Sequence, residues 1–471
     1  MKVQPNMLLI MTDQMRGDSM SCEQHPAVMT PNIDMLAATG TRFTRAYTTC
    51  PSCIAARRSL LTGMYPARNG MVGFQDGCPI TTPTLPQIAA EGGYETALFG
   101  RDMHQYPYEE LYGYQTRVHG TTYREDDDYA RALEAAYPGR GGVKGHGISY
   151  NGWTAKPWHF PEYFHPTNWT VQKSRDYIAR HSAEKPLFIT TSFYAPHPPF
   201  IPPAFYLERY LRMLLPPVSI GDWVAEPASE YAARGIDAAH TRLAGEQLRT
   251  AQAGYYALIN HVDDQVYWLI TDFITISRTA GRPWLIVFTS DHGEMLGDHC
   301  FFRKCEPYEG SARIPFIICG STDLGLAQGQ VCRQVVCLED ILPTLLAVAD
   351  LDTPADIDGK SLLGILNGED RPVREFLHSE HSPCYSNEQA HHMLTDGVFK
   401  YIWRPGDGTE QLFNLSTDPR ELHDLARDGQ WAELLSGWRT TMIQELANRP
   451  EGFSDGKSLK AGCEYRAFIG C

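Results

Sequence analysis

Four short apolar runs of the sequence each end in side chains that could bind a metal ion, bind an anion or transfer a proton. In chain order these side chains are Asp13 and Gln14, Arg101 and His104, His197, and finally Asp291 and His292. Chance would scatter such groups over both ends of the runs. Because sites in open α/β sheets form beyond the carboxyl ends of the strands, four such endings indicate one shared site.

Part of this set is suited to a metal ion. Asp13, Gln14, Asp291 and His292 would supply mostly oxygen ligands, which suit a hard divalent cation such as Ca²⁺. Mg²⁺ fits the same oxygen donors, and the imidazole also suits Mn²⁺. The sequence therefore predicts a divalent metal site built from these four side chains.

The remaining side chains are suited to an anion and to proton transfer. Arg57, Arg101 and Lys304 could bind an anion, since arginine offers a planar fork and lysine a point charge. His104 and His197 are candidates for proton transfer near neutral pH. A metal ion, three cations and two histidines together favour the cleavage of an ester of a tetrahedral oxyanion.

The elements that must position these side chains alternate between strand and helix patterns. Uninterrupted apolar runs of strand length are typical of parallel strands buried on both faces, and their alternation with helices predicts a doubly wound α/β sheet. For the whole domain we expect a large, doubly wound mixed sheet flanked by helices. The predicted strands are Met7–Met11, Thr96–Phe99, Leu187–Phe193, Leu285–Thr289 and Pro315–Cys319. The predicted helices are Asn32–Thr39, Ala55–Leu61, Leu85–Glu91, Val171–His181, Glu246–Ile276 and Leu338–Ala349.

Two stretches depart from this alternation. Residues 105–170 are rich in aromatic residues, Gly and Pro, which predicts an inserted loop region and a candidate substrate surface, although packing is the stronger reading for each single ring. After residue 370, shorter segments around a Gly-Asp-Gly turn predict an antiparallel sheet with a closing helix, Trp431–Leu446. We expect a catalytic α/β domain over residues 1–370 and a smaller C-terminal α+β subdomain over residues 371–471.

Composition argues against several classes of partner. The 471 residues carry a formal net charge of −15 and no block of Lys or Arg, which argues against binding to nucleic acid or to an anionic membrane surface. Any anion site must therefore be a local basic cluster. No apolar run is long enough for a membrane span or a signal peptide, so we expect a cytoplasmic protein, with oligomer formation left open. The 12 cysteines then read mostly as buried thiols.

The stretch TTCPSCIAARRSLLTG, residues 48–63, places two cysteines at the start of a predicted helix. A redox pair, half of a zinc site, a nucleophile and simple packing all fit these residues. Ser52 is placed to cap the helix. Cys53 then falls in its first turn, where the helix dipole and the nearby arginines favour an anionic sulfur.

At this point the chain resembles the type I, formylglycine-dependent sulfatases of the alkaline phosphatase superfamily. Their signature is Cys-x-Pro/Ala-x-Arg, followed after four residues by Thr-Gly. It aligns here as the Cys-x-Ala-x-Arg variant, with Cys53 and Arg57 in place and Thr62-Gly63 in register, whereas Cys50 has no Arg at the fifth place. The resemblance continues through APHPPF, FTSDHGEMLGDH, SARIPFII and LEDILPTLLAVADL to QLFNLSTDPRELHDLA.

This resemblance implies that a maturase converts Cys53 to formylglycine (3-oxoalanine), whose hydrated aldehyde is the nucleophile. The metal ion held by Asp13, Gln14, Asp291 and His292 would polarise one hydroxyl of the hydrate, which adds residue 53 to the metal ligands. The implied cofactors are therefore Ca²⁺, with Mg²⁺ or Mn²⁺ as alternatives, and the formylglycine itself.

The resemblance also implies roles for the other candidate residues. Arg57 would hold the geometry of the nucleophile, and His104 would help to deprotonate its second hydroxyl. His197 and Lys304 would bind the sulfate and assist the leaving alcohol. Arg101 would be a further cation for the sulfate group.

Two other interpretations stay open. Gln14 stands where many members have a second Asp, and the related phosphonate monoester hydrolases share this Asp-Gln pair, so a phosphonate monoester hydrolase or phosphodiesterase is one alternative. A non-catalytic anion-binding relative, in which Cys53 is never converted, is an alternative of another class. Arg101 and His104 favour a sulfatase. We therefore predict hydrolysis of a sulfate monoester of a small sulfated carbohydrate.

Overall fold

One large mixed sheet dominates the computed structural model, which describes residues 3–102, 106–228 and 234–470. In chain order its strands are β1 (Asn6–Asp13), β2 (Thr41–Tyr47), β3 (Glu95–Gly100), β4 (Thr116–His119), β5 (Leu187–Pro196), β6 (Trp284–Ser290), β7 (Phe316–Gly320) and β8 (Gln330–Cys337). Their order across the sheet is β4-β3-β5-β1-β6-β7-β2-β8. Strand β7 is antiparallel to both neighbours, and the other pairings are parallel.

Helices connect these strands. In chain order they are α1 (Pro31–Thr39), α2 (Cys53–Thr62), α3 (Pro66–Asn69), α4 (Leu85–Glu91), α5 (Asp128–Ala136), α6 (Pro166–Arg180), α7 (Ala204–Leu211), α8 (Gly245–Thr279), α9 (Glu309–Ala312), α10 (Ile341–Val348), α11 (Leu363–Leu366) and α12 (Ala432–Glu445). Within the described ranges, no helix combines the length and the apolar character needed to cross a membrane.

The sheet is buried on both faces, as its uninterrupted apolar strands predict. Successive side chains of β1 enter opposite cores, because side chains alternate along a strand. Leu8 and Ile10 belong to a core shared with α8, whereas Leu9 and Met11 belong to a core shared with α2 and α10. The two cores hold the carboxyl ends of the central strands at one edge of the sheet.

A second, smaller sheet follows. It consists of β9 (Leu377–His381), β10 (His391–Thr395), β11 (Phe399–Trp403) and β12 (Glu410–Asn414), which pair in antiparallel fashion in the order β12-β11-β10-β9. Helix α12 packs on it through Leu435 and Met442. Strand β9 also reaches the loop before α2, since the N–H of Glu380 donates to Thr49 O at 2.9 Å. The predicted fold class is confirmed, and the division at residue 370 stays a prediction.

Two expectations about the large sheet were wrong. The run Pro315–Cys319 was expected to be parallel, but β7 is antiparallel. The chain between Ser290 and Phe316 contains only short helical turns, whereas parallel strands are usually joined through a long crossover helix. Part of the aromatic region at 105–170 is also not loop, because β4 extends the sheet beside β3.

The aromatic side chains of that region serve mainly to pack it. Trp153, Trp158 and Trp169 are buried, whereas Tyr163 is 60% exposed. Trp158 and Trp169 belong to a small hydrophobic cluster beneath α5 and α6. This agrees with packing as the stronger reading for each ring.

Candidate active site

The ends of β1 and β6 bring Asp13, Asp291 and His292 together. The two strands are parallel neighbours, so Asp13 at the end of β1 lies beside Asp291, which directly follows β6. One carboxylate oxygen of each aspartate and one ring nitrogen of His292 all lie within 4.8 Å of one another, and the three side chains are buried. Two carboxylates and an imidazole at this spacing form a candidate metal centre.

The hydrogen-bonding state of this group fits a metal ion. Among the described residues, neither Asp13 Oδ1 nor His292 Nε2 has a hydrogen-bond partner, although both atoms are buried. His292 Nδ1 lies 3.0 Å from Gly293 O, so Nδ1 carries the proton and the lone pair is on Nε2. Unpaired buried acceptors are costly, and these two atoms are of the kinds that bind divalent cations.

Gln14 lies beside the candidate metal centre with both ends of its amide engaged. Its backbone is in the left-handed region, at φ 70°, and its N–H donates to Asp291 Oδ1 at 3.0 Å. Its side-chain Nε2 donates to Glu294, and its Oε1 accepts from Lys304 Nζ at 3.0 Å. Gln14 as a metal ligand stays a prediction, because its oxygen is bound to the lysine here. Glu294 was not among the predicted site residues.

Cys53 is the first residue of α2 and is 1% exposed. Ser52 occupies the N-cap position, as expected, but its side chain makes no capping hydrogen bond to the helix. The loop before the helix is held from elsewhere in the chain, since the N–H of Cys305 donates to Pro51 O at 2.9 Å. Burial raises the pKa of the Cys50 thiol well above its usual range, which favours the protonated, less nucleophilic form of this neighbour of Cys53.

Arg57 connects helix α2 to the candidate metal centre. Its Nε donates to Asp291 Oδ2 at 2.7 Å, and its Nη2 donates to Asp13 Oδ2 at 3.0 Å. A third bond runs from Nη1 to Ser192 Oγ at 2.8 Å. Burial alone would lower the pKa of Arg57, but Asp291 and Asp13 outweigh burial and raise that pKa above its ordinary value. Arg57 is therefore a fixed positive charge between the two carboxylates.

Arg101 follows β3 and is bound to Asp13. Its Nε lies 2.7 Å from Asp13 Oδ2, and its guanidinium lies about 5 Å from the ring centres of Tyr123 and Tyr194. Burial would raise the pKa of Asp13, but Arg101 and Arg57 outweigh it and lower that pKa. Asp13 is therefore ionised.

His197 and Lys304 face each other across the site. His197 Nε2 lies 2.9 Å from Lys304 Nζ, and His197 Nδ1 lies 2.6 Å from Pro198 O. Burial, and then the charges of Lys304 and Arg101, hold the pKa of His197 well below its ordinary value. The imidazole is thus neutral, with its proton on Nδ1, and Nε2 accepts a hydrogen bond from the ammonium group.

The structure brings most of the predicted residues into one buried cluster. Its members are Asp13, Gln14, Cys53, Arg57, Arg101, His197, Asp291, His292 and Lys304. His104 lies outside the described residues. Glu294 is the addition that sequence reasoning missed, and its place in the run DHGE, directly after the metal candidates, was the signal that could have found it.

Known proteins resemble this chain over nearly its whole length. A sulfatase family model matches residues 5–351, and a model of the C-terminal part of N-sulphoglucosamine sulphohydrolase matches residues 297–448. An arylsulfatase of Clostridium perfringens is 35% identical, covering 98% of each chain, and a choline-sulfatase of Rhizobium meliloti is 30% identical, covering 90% and 83%. The phosphonate monoester hydrolase of Agrobacterium radiobacter has the same fold, with a TM-score of 0.77 at 24% identity over 94% and 96%. The chain therefore belongs to the sulfatase family of enzymes.

Proposed function

We propose that the protein hydrolyses sulfate monoesters with a formylglycine formed from Cys53 and a bound divalent metal ion. The observation that carries this proposal is the position of Arg57, which binds both Asp13 and Asp291 from the helix that Cys53 begins. One side chain thus ties the candidate nucleophile to the candidate metal centre. Membership of the sulfatase family supports the class of reaction.

Asp13, Asp291 and His292 would hold the metal ion, with Gln14 and residue 53 as further ligands. A bound Ca²⁺, Mg²⁺ or Mn²⁺ ion supplies a Lewis acid that polarises an oxygen atom. The chain positions the ligands without the ion: Arg57 donates a hydrogen bond to each of the two aspartates, and the contact of His292 Nδ1 with Gly293 O leaves Nε2 as the ring nitrogen available to a ligand.

Residue 53 would supply the nucleophile after the maturase, with a two-electron oxidant that it must bring, converts the CH2–SH group to an aldehyde; the sulfur leaves as sulfide, water supplies the oxygen, and the aldehyde can then be hydrated. Its place at the first residue of the 10-residue helix α2 favours negative charge there, because the helix dipole is positive at the N terminus. Cys53 is buried in the folded chain, so the proposed maturase would have to act before folding is complete. We propose His104 as the base for the second hydroxyl, as the family resemblance implies.

Lys304 and His197 would bind the sulfate group, together with Arg101, and protonate the leaving alcohol. In this pair the lysine holds the proton that can be transferred, because the only proton of the neutral His197 ring is bound to Pro198 O. An unactivated alcohol needs such a donor. His197 would then keep the ammonium group of Lys304 aimed at the leaving oxygen.

We further propose a small sulfated carbohydrate as the substrate. The match of residues 297–448 to the C-terminal part of N-sulphoglucosamine sulphohydrolase supports this class. The net charge of −15 disfavours nucleic acid and anionic membrane surfaces as partners. A cytoplasmic location remains part of the proposal, and oligomer formation is compatible with it.

A second candidate is hydrolysis of phosphonate monoesters or phosphodiesters, because the phosphonate monoester hydrolases share the Asp-Gln pair to which Gln14 belongs. An amide in place of a carboxylate removes one negative charge beside the metal centre, and Lys304 is bound to that amide. Phosphonate monoesters, phosphodiesters and sulfate monoesters each carry one negative charge near pH 7, so the charge of the site does not separate the two candidates. Kinetic constants on sulfate, phosphonate and phosphodiester substrates are therefore needed to decide between the two candidates.

Mass spectrometry of the tryptic peptide that begins at Ala46 tests the nucleophile. We expect formylglycine or its hydrate at residue 53 in active protein, with an unmodified thiol at Cys50. Cys50→Ser is the matched control and should keep its activity, whereas Cys53→Ala should lose it. An intact thiol at residue 53 in fully active protein would contradict the proposal, and no activity with no conversion would favour the binding relative.

The specificity test compares kcat/KM on matched 4-nitrophenyl sulfate, phenylphosphonate and phosphodiester substrates, with converted enzyme. We expect the sulfate to be preferred. A strong preference for the phosphonate or the diester would replace the sulfatase assignment with the second candidate.

A further inference from the structure

A second cavity lies between the large sheet and the C-terminal sheet, apart from the candidate active site. Its volume is about 450 Å³, and its wall includes Arg45 of β2, Arg333 of β8 and Arg420 after β12. We name it the arginine cavity after these three residues. None of Asp13, Cys53, His197, Asp291, His292 or Lys304 lines it.

The acidic side chains of the arginine cavity are already paired. They are Asp18, Glu23, Asp298, Glu309 and Glu421. Each lies within 3.3 Å of a nitrogen of Arg16, Arg313 or Lys400. Arg16 and Arg313 also line the cavity, and their positive charges are thereby balanced within the wall. The acids therefore do not provide a free site for a cation.

The charges of the three arginines for which the cavity is named are not balanced in this way. In the described parts of the chain, Arg45, Arg333 and Arg420 have no carboxylate at ion-pair distance. Arg45 Nη1 donates to Arg333 O at 3.2 Å, which brings these two residues together. A Cβ at position 397 would lie 2.5 Å from Arg45 Cδ, so Gly397 in the β10–β11 turn leaves the room that the Arg45 stem occupies.

Three arginines without an ion-pair partner that line one cavity from separate segments of the chain stand out in a protein whose net charge is −15. An arginine presents a planar fork of N–H donors that matches the oxygens of sulfate and phosphate groups. The cavity volume of about 450 Å³ falls in the range of small-molecule sites and far exceeds a single oxyanion. A ligand that fills it must therefore carry its charges on a larger frame.

We propose that the arginine cavity binds a polyanionic ligand of about one or two sugar rings that carries sulfate or phosphate groups. Arg45, Arg333 and Arg420 would each bind one of its anionic groups. Binding there does not depend on the proposed reaction, since none of the candidate catalytic residues within the described ranges lines the cavity.

Calorimetric titration of the intact protein tests this proposal. The probes are sucrose octasulfate and, separately, inositol hexakisphosphate, with neutral sucrose as the control, at about 50 mM salt so that screening is limited. We expect at least one polyanion to bind and sucrose not to bind. The stronger of the two polyanions identifies sulfate or phosphate as the preferred group.

Two triple variants with the same change in charge localise the binding. Arg45→Ser/Arg333→Ser/Arg420→Ser should weaken the affinity by at least about tenfold, as expected for the loss of three charge-assisted contacts. Arg180→Ser/Arg371→Ser/Arg427→Ser removes three exposed arginines elsewhere and should change the affinity by less than about twofold. Both variants should keep the wild-type kcat/KM on 4-nitrophenyl sulfate, a measurement that separates this proposal from the proposed reaction.

Three results would overturn the proposal: no binding of either polyanion to the wild-type protein, equal losses in both triple variants, or unchanged affinity in the cavity variant. If the cavity triple variant does not fold, the single variants Arg333→Ser and Arg420→Ser provide the same test, because both side chains are exposed. Wild-type affinity in both single variants would then count against the proposal.

Discussion

Lys304 Nζ lies 2.9 Å from His197 Nε2, and the histidine is the acceptor in this contact. The pKa of His197 is well below its ordinary value, and its Nδ1 proton is directed at Pro198 O. In the proposed reaction, the proton available for transfer would therefore be on the lysine. Because the two side chains act as a unit, we expect the effects of replacing them not to add.

Lys304→Met should act mainly on esters with poor leaving groups. We expect kcat/KM on an alkyl or sugar sulfate to fall by about 10²–10⁴-fold, the usual contribution of a positioned acid. The loss on 4-nitrophenyl sulfate should be much smaller, since that phenolate leaves without a proton. Steady-state kinetics on the two esters measures the difference. Equal losses on both would show that Lys304 binds the sulfate and does not protonate the leaving group.

Replacement of a candidate metal ligand should stop turnover while the fold persists. Asp291→Asn removes one charge from the candidate metal centre and one acceptor from Arg57, so we expect activity to fall by orders of magnitude and the bound metal to be lost. A chelator should do the same to the wild-type protein. Asp272→Asn, which changes a surface ion pair with Arg175, is the control and should keep its activity.

Elemental analysis measures the metal bound to each protein, and circular dichroism shows whether the variant keeps its fold. Full activity after chelation, together with the absence of any divalent ion in the purified protein, would rule out the metal centre.

Gly100→Ala should destabilise the strand end that carries Arg101. Gly100 has a φ of 94°, and a Cβ there would overlap with the carbonyl oxygen of Ser192. We expect the free energy of unfolding to fall by about 2–4 kcal/mol, from backbone strain plus the clash. Gly93→Ala is the matched control, because its φ is also 94° but a Cβ would meet nothing within 4 Å. Chemical denaturation of both variants gives the comparison, and equal losses would contradict it.

Glu339, which contacts the loop before Cys53, should make the free energy of unfolding depend on pH. It accepts a hydrogen bond from Thr49 Oγ1, and burial raises its pKa from 4.5 to about 7. The folded form keeps a proton that the unfolded form loses, so the stabilising contribution is complete below pH 4.5 and is lost as the pH rises through about 7.

Glu339→Gln cannot titrate and provides the reference for that effect. The stability of the wild-type protein relative to this variant should fall by roughly 3 kcal/mol across the pH window, as a shift of this size implies. Denaturation curves at several pH values measure it. A constant difference between the two proteins would show that Glu339 does not keep its proton on folding.

The strand ends were predictable because the central strands are buried on both faces. Asp13 and Asp291 could be placed at the same edge from the apolar runs alone. Their contact could not, since it depends on β1 and β6 being neighbours in the sheet. Strand β2 was missed because its sequence, TRFTRAY, alternates with polar residues and only some of its positions are buried.

The contacts within the site were beyond prediction from the sequence. Arg101 binds Asp13, which lies on another strand, and only the packing of β3 and β5 beside β1 brings them together. Glu294 reaches the site because the loop after β6 folds back, so that its carboxylate accepts hydrogen bonds from the Gln14 side chain and from the N–H of Leu296. The candidate metal ligands could be predicted from the positions of the strand ends. The contacts of Arg101 and Glu294 could be identified only from the tertiary structure.

Strand β9 closes over the loop that precedes Cys53, and Ser379 Oγ donates to Thr48 O at 3.0 Å across 331 positions of the sequence. On the ribosome, Cys53 emerges hundreds of residues before the strand that seals its loop. In the proposed function, residue 53 would be accessible to the maturase during this interval. Formation of β9 would end that interval, so the order of the elements along the chain would limit the time in which the proposed conversion can occur.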